Sequence, residues 1–226
     1  MRVVIAGGHG KIALILERLL AQRGDSVAGI IRNPDHAADL EAGGVEALVV
    51  DLEDAPVADV ASRLDGADAV VFAAGAGPGS GAARKETVDR DAAVLLADAA
   101  EAAKVTRYVM ISAMGADAEA SDDVGDPVFV AYLRAKGAAD DNVRARKSLQ
   151  STIVRPGLLT NEPGTGRVTI AEHTGHESIP REDVAAVLLA VLDAPGTAGQ
   201  TFEVVSGDTP IAEAVRRLTS AGRQEK

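Results

Sequence analysis

A doubly wound α/β fold, with a mainly parallel sheet covered by helices on both faces, is predicted by three features of this 226-residue chain. Short β-branched runs alternate with longer Ala- and Leu-rich stretches of helical period. Those runs are apolar on every residue rather than on alternate ones, so the strands are buried on both faces and require a helix layer on each side. The hydrophobic fraction is 46%, yet there are only three Phe, two Tyr and no Trp, so the core is built from Ala, Val, Leu and Ile. This length suits one large domain or two small ones, and no linker or internal repeat divides it.

Taken in order, strands are expected at residues 2 to 6, 26 to 31, 47 to 50, 69 to 73, 107 to 112 and 151 to 155. Between the first two, Ile12, Ile15, Leu16, Leu19 and Leu20 recur at helical spacing and stop at Gly24, a C-cap. Asn33-Pro34 reads as a cap with proline in the first helical position, opening a helix to about Ala42. Further helices are expected at 56 to 64, 86 to 103 and 127 to 148. After Arg155 the pattern turns irregular through Pro163, Gly164 and Gly166. A strand at 167 to 170, a helix from Arg181 to Asp193, a strand at 201 to 205 and a last helix from Pro210 follow. Residues 156 to 226 are read as a small C-terminal extension of the same domain, spanning 1 to 226, because about 70 residues make a small independent core.

A formal charge of −11 disfavours nucleic acid and anionic lipid as partners. The densest basic run, Arg144 to Lys147, reads as a solvated helix end. Without cysteine there is no disulfide framework, thiolate nucleophile or Cys-ligated zinc. Met1-Arg2 followed at once by Val3-Val4-Ile5 is a strand start rather than a signal peptide, and no apolar run approaches the roughly 18 residues of a membrane span. The expectation is a soluble cytoplasmic protein acting on a small molecule, with its oligomeric state open.

Gly7-Gly8-His9-Gly10-Lys11-Ile12-Ala13 lies directly between the first strand and the first helix. Glycines there allow a sharp turn and let a pyrophosphate approach backbone N–H groups at a helix N-terminus. Ala13 is small where helix and sheet must pack closely. Spacing from Gly7 and spacing from Gly8 both fit, and His9 is either a cofactor neighbour or a turn residue. The motif predicts a dinucleotide site on a Rossmann fold.

An NAD-preferring site usually has Asp or Glu at the end of the second strand, whereas Ile30-Ile31-Arg32-Asn33 stands there. The fork of Arg32 matches a 2′-phosphate and leaves no carboxylate to repel it, which predicts NADP over NAD. At the third strand, Asp51-Leu52 either meets the adenine or, through Asp51, caps the next segment. The glycine-rich stretch from Ala74 to Gly81, including Pro78, reads as a loop beside the ligand.

Tyr132 and Lys136 are spaced i, i+4 on the long helix, so the ammonium is expected near the phenol, lowering its pKa. A phenol so tuned can protonate a carbonyl oxygen as hydride arrives. Tyr108 is expected on a buried strand, leaving Tyr132 as the candidate acid. Any aromatic platform beside the nicotinamide would have to come from Phe72, Phe129 or Phe202.

Together these segments resemble an atypical short-chain dehydrogenase/reductase of the NAD(P)H-binding group that includes NmrA-like and biliverdin or flavin reductase B-like proteins. The likeness runs through the Gly7 to Ala13 loop, Arg32, Asp51-Leu52, Ala73-Ala74-Gly75, Tyr108 to Ser112, Tyr132 with Lys136, Arg155-Pro156-Gly157 and Ile179 to Ala185. It implies that Gly7, Gly10, Lys11 and Ile12 border the pyrophosphate and that Ala73 to Gly75 pass the adenine ribose. It places Pro156, Gly157 and Leu158 near the nicotinamide, Lys136 on its ribose, and Tyr132 as the acid, in an NADPH-dependent oxidoreductase.

One departure matters. Active relatives carry a serine or threonine beside the tyrosine, and many end the fifth strand with two serines, where this chain has Ser112-Ala113. If the second position is the functional one, the hydroxyl is gone and Ser112 is a cofactor-side residue. That motivates a different class of function, a non-catalytic NADP(H)-binding sensor or regulatory protein. The sugar-nucleotide epimerase branch has a larger C-terminal substrate region, which argues against it here. His173 and His176 lack a further ligand cluster, so no metal site is expected. No Gly-x-Ser-x-Gly elbow is present, and Ile12 stands where a Walker loop needs a hydroxyl.

Overall fold

A computed structural model describes residues 1–77 and 79–221. Pro78 of the glycine-rich loop and the last five residues of the expected domain lie outside the described residues.

The chain alternates strand and helix as its periodicity requires. β1 (Arg2–Ala6), α1 (Lys11–Arg23), β2 (Ser26–Ile31), α2 (Ala37–Ala42), β3 (Glu46–Val49), α3 (Val57–Arg63) and β4 (Ala69–Phe72) form the first half. Next come α4 (Ala82–Arg84), a π-helical segment Lys85–Asp91, α5 (Ala92–Ala102), β5 (Arg107–Ile111), α6 (Pro127–Ala145) and β6 (Gln150–Pro156). β7 (Leu158–Thr160), β8 (Arg167–Ala171), β9 (Ser178–Pro180), α7 (Arg181–Leu192), β10 (Gln200–Ser206), β11 (Thr209–Pro210) and α8 (Ile211–Ala221) complete it.

The sheet order is β3-β2-β1-β4-β5-β6-β10-β8-β11, with β7 and β9 pairing separately. Every neighbour from β3 to β10 is parallel, and only β8 runs antiparallel to β10 and β11. The order reverses between β1 and β4. There the loops after the two strands part, leaving the crevice in which doubly wound folds bind ligands. Strand β1 shows why both faces need covering. Val3 and Ile5 belong to a core shared with α1, α7 and α8, whereas Val4 and Ala6 belong to a second core shared with α3, α5 and α6. All four are fully buried, so β1 is the axis between two aliphatic layers.

Local signals set several boundaries. Gly24 ends α1 in the left-handed conformation at φ +89°, with its N–H donated to Ala21 O. The Asn33 side chain accepts from Asp35 N–H, and Pro34 opens a 3-10 turn that leads into α2. Asp126 accepts from the amides of Val128 and Phe129, with Pro127 first in α6. The basic run at the end of α6, expected to be solvated, is ion-paired instead: Arg144 meets Asp141, and the half-buried Arg146 meets Asp98 and Glu101.

Three readings of the sequence need correction. The helix expected from residue 86 begins at Ala82 and passes through the π-helical segment before α5, because side-chain period does not record which backbone acceptor each amide takes. The irregular stretch after Arg155 contains β7 and β9, three residues each and too short to show a period. Pro210 closes β11 against β8, and the last helix starts one residue later. Arg107, at the start of β5, ties the C-terminal segment to the sheet. It donates to Gln150 O, Thr152 Oγ1, Val191 O and Thr197 Oγ1.

Candidate active site

The site is built around the turn from β1 to α1. Gly7 N–H and Gly8 N–H both donate to Ile30 O, and Gly10 N–H closes the turn on Gly7 O. Gly7 has φ +82°, and a Cβ there would stand 2.6 Å from Ala74 Cα, so this position accepts glycine alone. Gly8 is a packing glycine: its Cβ would meet Gly29 Cα at 2.8 Å, and it faces β2 rather than the cleft. No side chain caps α1 at Gly10, its first turn holds no acidic residue, and its first helical bond is Leu14 N–H to Gly10 O. The first-turn amides of α1 thus lack a side-chain cap among the described residues, the condition in which a helix N-terminus can receive an anion.

Two connected clefts lie along this turn. One, of about 320 Å³, is lined by Gly7, Gly10, Arg32, Asp51, Leu52 and the segment Ala73 to Gly75. The second, of about 750 Å³, is lined by Gly10, Lys11, Ile12, Ser112, Tyr132 and Lys136. Residues distant in sequence therefore meet on one crevice: the glycine loop and the turn at Asp51 to Glu53 at one end, the tyrosine and lysine at the other. His9 borders both clefts. Its ring stacks on His36 at 3.7 Å between centroids, and its Nε2 lies 2.8 Å from Asp39 Oδ2.

At the first cleft, Arg32 is where the sequence put it, but it is not alone. Its Nη1 donates to Glu53 Oε2 at 2.7 Å, and Arg84 Nη2 donates to the same oxygen at 2.7 Å. Thr87 Oγ1 donates to Glu53 Oε1 at 2.6 Å. The Thr87 hydrogen bond, then Arg84 and Arg32, hold the Glu53 carboxyl below the usual range, so it is ionised at neutral pH. The expectation that no carboxylate stands beside Arg32 is thereby corrected. Glu53 comes from the turn after β3 rather than from the end of β2, where an NAD-preferring site usually carries its acid. Asp51 Oδ1 accepts from Glu53 N–H and so caps this turn, the second of its two readings.

At the second cleft, Lys136 is almost fully buried. Its Nζ lies 3.3 Å from Asp89 Oδ1 and donates to Ile111 O at 3.3 Å. Asp89, also buried, accepts from Ala76 N–H through Oδ2 and so pins the strand-end segment that passes Gly75. The π-helical segment carries Asp89, and such a segment often marks a functional site. Burial pushes the Tyr132 phenol up, and the charges of Asp89 and Asp140 push it further. The expected lowering by Lys136 is therefore corrected: the ammonium is committed to Asp89, and the phenol remains protonated at neutral pH. Lys85 Nζ sits 5.3 Å from the centre of the Tyr132 ring, a cation–π contact.

Behind Lys136, Asp140 is fully buried and pairs with Arg155 at 2.7 Å; burial raises its pKa. Ser112 Oγ faces it without completing a hydrogen bond of normal geometry. This buried hydroxyl, without a hydrogen bond of normal geometry among the described residues, and the uncapped first turn of α1 fit a polar ligand lying along the crevice. Ala113 is buried and brings no hydroxyl. Leu158 is 76% exposed, and the wall of the cleft is formed by Leu159 and Arg181 instead of Pro156, Gly157 and Leu158. Phe72 and Phe202 are core residues, so Phe129 is the phenylalanine that reaches the cleft. Tyr108 is fully buried, with its hydroxyl donating to Ala93 O. Among the described residues, no group of three or more His, Cys, Asp or Glu could hold a metal ion, and no helix is long and apolar enough to cross a membrane.

The sequence reading missed Asp89, Glu53, Arg84, Thr87, Lys85 and Arg181. A carboxylate two residues after Asp51 was a visible signal for Glu53; Asp89 and Thr87 gave none, because a π-helical turn changes which side chains share a face.

A glycine turn at a strand-to-helix junction, a crevice at the reversal of strand order and first-turn amides facing it define a dinucleotide-binding protein of the Rossmann class. Residues 7–195 match the family model described as NAD(P)H-binding, and the chain belongs to that family. It is 37% identical to the uncharacterized sugar epimerase YhfK of Bacillus subtilis, over 96% of this chain and 100% of that protein. A solved structure from Bacillus halodurans, provisionally assigned as an NAD-dependent epimerase/dehydratase, is 38% identical with a TM-score of 0.87, covering 96% of this chain and 99% of that one. The oxidoreductase ylbE from Lactococcus lactis is 26% identical with a TM-score of 0.83, over 97% of each chain.

Proposed function

We propose that this protein is an NADPH-dependent oxidoreductase of the atypical short-chain dehydrogenase/reductase type, acting in the cytoplasm on a small carbonyl, quinone or flavin-like acceptor. The observation that carries this reading is the convergence of Tyr132, Lys136 and Ser112 on the same cleft as Gly10, Lys11 and Ile12. NADPH would supply the hydride. The first-turn amides of α1 and Lys11 would hold its pyrophosphate, Ala73 to Gly75 would flank the adenine ribose, and Arg32 would meet the 2′-phosphate. Asp89 and Ile111 O fix the Lys136 ammonium, which then has a donor left for the nicotinamide ribose.

Tyr132 gives the proton to the acceptor oxygen. Burial, Asp89 and Asp140 keep the phenol protonated at neutral pH, so it carries the proton that such a step needs. Chain length does not separate this reading from the epimerase names of two relatives, since YhfK is matched over its whole length.

Ala113 favours a second reading, a non-catalytic NADP(H)-binding sensor. The two are separated by following NADPH oxidation across a panel of carbonyls, quinones and flavins. The enzyme reading expects turnover with at least one acceptor and a loss of at least about a hundredfold in Tyr132→Phe, the usual scale of a general acid. Tight NADPH binding with no oxidation of any panel member would establish the sensor instead.

A further inference from the structure

The nucleotide-binding reading leaves the Arg32–Glu53–Arg84 cluster without a role for its carboxylate. Two guanidinium groups from different elements converge on one oxygen, Glu53 Oε2, each at 2.7 Å, at the lining of the cleft that begins at the glycine turn. Convergent planar forks on one oxyanion are the arrangement that recognises phosphate. The arginine side chains are 53% and 41% exposed and the carboxylate 21%, so the cluster opens toward the cleft and is not a closed structural pair. Such exposure also makes it a weak contributor to stability. Thr87, from the π-helical segment, holds the other oxygen.

We propose that Glu53 is a tethered anion seated in the place of an adenosine 2′-phosphate, and that its displacement sets the choice between the two nicotinamide nucleotides. A phosphate and an ionised carboxylate cannot share the two arginines, because like charges in one small site repel. With NAD, Glu53 stays between Arg32 and Arg84 and accepts a hydrogen bond from a ribose hydroxyl. With NADP, the phosphate takes both guanidinium groups and Glu53 leaves, releasing Thr87. The arginines thus attract NADP while the carboxylate narrows its advantage over NAD without removing it. The proposal rests on the reading of the crevice as a dinucleotide site.

The test is calorimetric titration of the purified full chain and its variants with NADP+ and with NAD+, at low salt and at about 0.15 M. Glu53→Gln is expected to tighten NADP+ binding by about tenfold, the scale of one charge-assisted hydrogen bond, and to weaken NAD+ binding. Thr87→Val keeps the carboxylate but removes its latch, and is expected to move NADP+ the same way by a smaller factor. Both gains should shrink at the higher salt. Weaker NADP+ binding in Glu53→Gln, or an unchanged ratio in both variants, would overturn the proposal and make the carboxylate a brace for the arginines. If the parent protein binds neither nucleotide, the dinucleotide reading fails, and this proposal fails with it.

Discussion

Glu17 shows how much one side chain can matter to this protein. It lies on α1 beneath the glycine turn, is 1% exposed, and neither carboxyl oxygen has a hydrogen-bond partner among the described residues. Burial pushes its pKa from 4.5 up to about 8. A raised acid pKa means that the folded state keeps a proton the unfolded state has lost. Stability is therefore unaffected by this group below about pH 4.5, falls as pH rises toward 8, and then levels off. Glu17→Gln should gain stability over the parent progressively across that window, by up to a few kcal/mol. Denaturation midpoints at several pH values test this, and a gap that does not change with pH would contradict it. Asp89 gives the functional counterpart. Its charge helps to raise the Tyr132 phenol, so Asp89→Asn should bring the onset of phenol ionisation, followed by ultraviolet absorbance, to lower pH. An unchanged absorbance titration would leave Asp89 a structural role alone. Neither residue was visible as special in the sequence, because an acidic residue on an amphipathic helix reads as solvated until its burial is known.

At the scale of elements, most of the architecture was legible. The glycine turn, the Gly24 and Asn33 caps and the continuous apolar strands each encode their structure within a few residues. The π-helical segment, β7 and β9 were not legible, since each depends on backbone pairing that tertiary contacts decide. The fit of α6 against the loop after β5 belongs to this hidden class. A Cβ on Gly137 would stand 2.2 Å from Ala118 N and 2.3 Å from Asp117 C, so the helix and that loop touch through backbone. Gly137→Ala should force them apart and lower stability by about 2 kcal/mol, despite alanine's better helix propensity. Thermal denaturation checks the sign; an equal or higher midpoint would contradict the contact.

Over the whole molecule, sequence and structure agree on the layered sheet and on where its crevice lies, and they part over electrostatics. Arg32, Tyr132 and Lys136 stand on the crevice as the motifs indicated, but their partners Glu53 and Asp89 come from other segments and alter what each can do. The lysine pairs with Asp89 and donates to Ile111 O, and the arginine is already engaged with the Glu53 carboxylate. Such pairings arise only when the chain is folded, which is why a motif fixes a side chain's place before it fixes its chemistry. If this crevice binds NADPH through the glycine turn, titrating the purified protein into NADPH should change the nucleotide's fluorescence. Saturable quenching or a spectral shift, lost in Gly7→Ala, is the predicted result; unchanged fluorescence at saturating protein would contradict it.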